Sequence, residues 1–144
     1  MEPGRLRQKD GFTIAEVMIA FIILAIGFTS MLYLSLFAIK ANMEGQRLGS
    51  ARFIAEQRAE NLRSLDYRHP MLIDDGDSLD LDDTVTPDFQ DSLSRDGIDY
   101  DIMWNIAENI PENGIKTIKI FVLWNEQQGP KEFEFTTFKG SASR

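Results

Sequence analysis

From Phe12 to Ile39 the chain carries one charge, Glu16. Val17–Ile39 is an uninterrupted run of 23 uncharged residues closed by Lys40. As a helix it rises about 34 Å, enough to cross a hydrocarbon core of about 30 Å. A secretory signal peptide is a poor fit, because its apolar region is shorter and is followed by a small-residue cleavage site. The run therefore predicts a membrane-spanning helix. Arg5, Arg7 and Lys9 precede it against Glu2 and Asp10, and positive charge on that side keeps the N-terminus in the cytoplasm. Glu16 stands at the entry of the span, where a carboxylate is costly and faces a partner unless it stays at headgroup level.

Composition narrows the chemistry. A net charge of −8 repels phosphates, so no nucleic-acid partner is expected. There is no cysteine and a single histidine, His69. A disulfide framework and a thiolate metal site are excluded, and a His-based triad or zinc site is disfavoured. No nucleophile–base set and no glycine-rich phosphate loop is present. The expectation is a protein that is not an enzyme and needs no cofactor.

Gly11-Phe12-Thr13-Ile14-Ala15-Glu16 resembles the class III signal of type IV pilins and pseudopilins: a short basic leader ending in glycine, then phenylalanine, a glutamate four residues on, and about twenty apolar residues. The resemblance implies cleavage by prepilin peptidase between Gly11 and Phe12, N-methylation of Phe12, and a meeting of Glu16 with the N-terminal amine of a neighbouring subunit. Such a pair is physically sensible, since each charge neutralises the other in an apolar filament core. Glycine before the cut lets the backbone approach closely.

Residues 40–66 read as the amphipathic second half of one long spine helix, with Leu48, Ala51, Ala55, Leu62 and Leu65 on one stripe. Gly27 is either a weak point of the first half or a site of close helix packing. Residues 67–97 read as an acidic loop with a short strand near Thr84–Thr86, and residues 74–83 hold six aspartates. A solvated loop is the usual meaning of such a run. Oxygen-rich loops also bind calcium, and Asp75, Asp77, Asp80 and Asp82 are the candidates, although EF-hand spacing is absent. His69, before Pro70, fits a surface or capping position.

From residue 98 the period becomes two. Ile98, Tyr100, Ile102, Trp104 and Ile106 alternate with Asp99, Asp101, Met103, Asn105 and Ala107, as in a half-buried strand. Ile118, Ile120, Val122 and Trp124 form a second strand, with Phe121 and Leu123 marking it as central. Phe133, Phe135 and Phe138 lie in a third. Turns are expected at Asn109–Gly114 and Glu126–Pro130. Both tryptophans read as core rather than as a sugar platform.

The expected fold is thus α+β: a leader (1–11), a hydrophobic transmembrane or filament-core helix (12–39), its amphipathic continuation (40–66), the acidic loop (67–97) and a three- to four-stranded antiparallel head (98–144). The strand pattern of the head is similar to the PilV-like minor pilins, and its small-head plan to the minor pseudopilin I of type II secretion systems. The disulfide loop common in major pilins is missing. The resemblance implies a bacterial inner-membrane precursor with a periplasmic head, built into a pilus or its initiating tip complex. Its partners would be prepilin peptidase, other minor and major pilins, and the inner-membrane assembly platform. The alternatives are a type II secretion pseudopilin and, from another class, a binding module at a pilus tip.

Overall fold

The computed structural model describes residues 11–126 and 128–141. The leader charges Arg5, Arg7 and Lys9, with Glu2 and Asp10, lie outside the described residues, as do the last three residues of the polar tail. The element order is α1 (Ile14–Ser64), a 3-10 turn (Pro70–Leu72), β1 (Phe89–Arg95), β2 (Ile98–Glu108), β3 (Ile115–Glu126) and β4 (Gly129–Gly140). This is the α+β plan of one long helix and a four-stranded antiparallel sheet. The chain divides into two compact units, Met1–Glu44 and Gly45–Arg144.

In the first unit the described residues are helical from Ile14 and exposed throughout. Between Val17 and Ile39 no charged side chain interrupts the helix surface, which is how a lipid-facing or protein-covered helix reads. Thr29 and Ser30 turn their hydroxyls back to the carbonyls of Ala25 and Ile26, both at 2.8 Å. These bonds satisfy the two hydroxyls without an outside partner. The helix is regular through Gly27. Among the described residues, α1 is the one helix long and apolar enough to cross a membrane.

In the second unit, the end of α1 packs on one face of the sheet. The buried helix residues are Ala51, Ile54, Ala55, Ala59 and Leu62. Three alanines on this face permit close approach to large partners, and those partners are Tyr100, Ile102, Trp104 and Ile106 of β2 with Ile118, Ile120, Val122 and Trp124 of β3. Burial of these side chains is the main stabilising term, on the order of 1.5–3 kcal/mol for each large one. Leu65 packs partly against the core, but Leu48 is half exposed, because the buried stretch of the helix begins one turn later at Ala51. Ile54 and Ala59 take the places that the expected stripe omitted. The end of α1 is capped from the sheet: Lys139 Nζ donates to Arg63 O in the last turn at 2.6 Å and also to Leu65 O just past the helix.

The sheet is a meander in the order β1-β2-β3-β4. β3 is central, as expected, and Phe121 is buried on its other face. Phe133 and Phe135 pack partly on the core, whereas Phe138 has the opposite parity in β4 and is 54 % exposed. Both indole N–H groups are satisfied, Trp104 to Met71 O at 3.2 Å and Trp124 to Glu126 Oε1 at 3.0 Å. Both tryptophans are buried. His69 caps the 3-10 turn, its Nδ1 accepting from the Met71 N–H at 3.2 Å.

Two features depart from expectation. No strand forms at Thr84–Thr86. There the Asp83 carboxylate accepts from Val85 N–H at 2.7 Å and from the Thr86 hydroxyl at 2.5 Å, so a local turn satisfies donors that a ladder would have used. The additional strand is β1, in the stretch expected to be loop. Its residues alternate weakly, and six of its seven positions are exposed. Register settles it: Phe89 opposes Trp104, Asp91 opposes Ile102 and Leu93 opposes Tyr100. Phe89 stacks on Trp104 with centroids 5.4 Å apart.

Candidate functional site

The N-terminal junction is built from a helix start. Gly11, Phe12 and Thr13 are exposed and outside any helix or strand. Thr13 then caps α1. Its Oγ1 accepts from the Glu16 N–H at 3.3 Å, and its carbonyl accepts from Glu16 N–H at 3.1 Å and Val17 N–H at 3.2 Å. Thr13-x-x-Glu16 is the spacing of a capping box. The charge of Glu16 marks it in the sequence, and its backbone N–H is in addition held by Thr13. The spacing alone could have revealed it. An acidic residue in the first turn also complements the positive end of the helix dipole.

Phe12, Glu16, Val17, Ala20, Phe21 and Leu24 line one shallow groove along this end of α1. Among the described residues Glu16 is the single charged side chain of that lane, and Phe12 is 84 % exposed. What such an arrangement can do is accept a cation, an ammonium above all, inside an otherwise apolar contact.

The acidic loop is pinned rather than freely solvated. Asn105 is fully buried on the sheet face away from α1. Its amide donates to Asp80 O at 2.9 Å and Asp83 O at 2.6 Å, and its Oδ1 accepts from Asp88 N–H at 3.0 Å. Asn105 and Ala107 therefore break the expected polar alternation of β2: both are buried. Lys119 holds Asp82 from β3 and also pairs with Glu134 at 2.7 Å.

Among the described residues, no three of the four calcium candidates bring carboxylate oxygens within 4.8 Å of one another. Asp82 is paired with Lys119, and Asp77 accepts from Leu79 N–H at 3.1 Å. Asp75 instead joins Asp74 and Asp88, with carboxylate oxygens within 4.8 Å of one another. Asp88 lies thirteen residues from Asp75, a separation no local motif encodes. In this group Asp74 accepts from Gly76 N–H and the Ser78 hydroxyl, and Asp88 accepts from Asp75 N–H at 3.2 Å and Ile106 N–H at 2.7 Å. Burial pushes the Asp74 carboxyl up, but the bonds from Ser78 and the backbone outweigh it and leave it below the ordinary range. Burial holds Asp88 above its ordinary value despite the Ile106 and Asp75 N–H groups. Asp80 is also raised, by burial first and then by Asp88 and Asp75, and its Oδ1 has no hydrogen-bond partner among the described residues.

Residues 6–32 match the prokaryotic N-terminal methylation motif. The matched span takes in Gly11, Phe12, Thr13 and Glu16 and supports a type IV pilin-like protein, a structural class rather than an enzymatic one. No curated protein and no solved structure matches the chain.

Proposed function

We propose that the chain is a minor type IV pilin of the PilV-like group, made as an inner-membrane precursor with its head in the periplasm. Prepilin peptidase cuts between Gly11 and Phe12, Phe12 is methylated, and the apolar half of α1 passes from lipid into a filament or its initiating tip complex. Assembly is the mechanism, with Glu16 receiving the amine of Phe12 from a neighbouring subunit. The observation that carries this reading is the methylation motif lying across the start of a long helix whose apolar residues are exposed all round. In lipid that exposure is satisfied, and in a filament it is covered by other subunits, with one carboxylate left to fix register.

The test is the N-terminus itself. Expressed with prepilin peptidase, the chain should shorten and begin at methylated Phe12 by mass spectrometry, while Gly11→Ala stays at full length. Normal shortening of Gly11→Ala would remove the cleavage claim.

A further inference from the structure

The bond proposed to be cut joins Gly11 to Phe12, and α1 begins only at Ile14. A peptide bond inside a helix is withheld from a peptidase, because its carbonyl and N–H are engaged in i,i+4 bonds. A helix, once nucleated, extends readily in both directions. Something must stop α1 short of the bond, and the group in place is the Thr13 hydroxyl. With Thr13 as cap, the Glu16 N–H is shared between Thr13 Oγ1 at 3.3 Å and Thr13 O at 3.1 Å. Were the helix to start earlier, that N–H would turn to the Phe12 carbonyl, and Thr13 would have to take helical backbone angles and give up the cap. The Glu16 N–H therefore reports which start the helix adopts.

We infer that Thr13 is a positioning residue for leader removal: its hydroxyl ends the helix at Ile14 and keeps Gly11–Phe12 in open, cleavable backbone. This rests on the processing reading above. Glu16 contributes through its backbone N–H, and its carboxylate serves the separate role in assembly.

The experiment follows cleavage of the full-length precursor in membranes at varied precursor concentration. Thr13→Val keeps the side-chain shape and removes the acceptor; Thr13→Ser and Thr13→Asn keep one. A cap shifts the helix-start equilibrium about fivefold, and apparent affinity scales with the competent fraction. Thr13→Val should therefore raise KM by up to about fivefold with kcat unchanged, while the serine and asparagine variants stay near wild type. Backbone chemical shifts at Phe12 in detergent micelles should move toward helical values in Thr13→Val alone. Cleavage of Thr13→Val with wild-type KM overturns the inference, as does equal impairment of all three variants. An unmoved Phe12 shift in a slowed Thr13→Val overturns it too. An uncut wild-type precursor overturns the processing reading and this inference together; a cut wild type with an equally cut Thr13→Val overturns this inference alone.

Discussion

Asp88 and Asn105 hold each other across the edge of the sheet. The Asp88 N–H donates to Asn105 Oδ1 at 3.0 Å, and Asp88 Oδ2 accepts from the next N–H of β2, that of Ile106, at 2.7 Å. Asn105 also carries the Asp80 and Asp83 carbonyls on its amide. One buried amide thus fastens a stretch rich in aspartate to the sheet.

Asn105→Ala should cost the head about 1–3 kcal/mol, because it strands buried polar groups rather than merely deleting a bond. Trp104 and Trp124 both lie in this core, so urea unfolding of the detergent-solubilised chain, followed by tryptophan fluorescence, reads the change. A shift below about 0.5 kcal/mol would mean that the loop is held by something else.

Asp80 makes an opposite prediction. Its folded pKa is raised, by burial and then by Asp88 and Asp75, so the charged form is disfavoured in the fold. The native state keeps a proton there that the unfolded chain has already released. Stability should therefore fall as pH rises from the ordinary carboxylate value through the raised one. Asp80→Asn should raise the melting temperature at pH 7, and the gain should shrink as pH is lowered toward about 4. A gain that grows on acidification would reverse the assigned sign.

The legible parts of this fold were those with a long or regular pattern. The apolar run and its capped continuation gave α1 nearly to the residue, since fifty positions average out local noise. Alternation gave β2 and β3, where each second side chain meets the helix. β1 was hidden because an edge strand with Asp91 and Arg95 on its core side has little pattern of its own; it is specified by Trp104 and Tyr100 across the ladder. Asp91 is instead held by Arg58 of α1, whose guanidinium also lies 5.0 Å from the Trp104 ring centroid. The burial of Asn105 was equally hidden, because a polar residue at an outward strand position ordinarily faces water. At the N-terminus the Thr13 hydroxyl and the Glu16 N–H form one local motif, which the T-x-x-E spacing encodes.

We propose that the Glu16 carboxylate serves assembly, and Glu16→Ala isolates that role. The substitution keeps the backbone N–H that Thr13 caps, so leader removal should proceed as in wild type. In cells that make filaments, the processed variant should remain in the membrane. Its share of the sheared filament fraction should fall at least roughly tenfold, because the neighbouring ammonium would be left unpaired in an apolar contact. Recovery of processed Glu16→Ala in filaments at the wild-type ratio would show that assembly does not need the carboxylate.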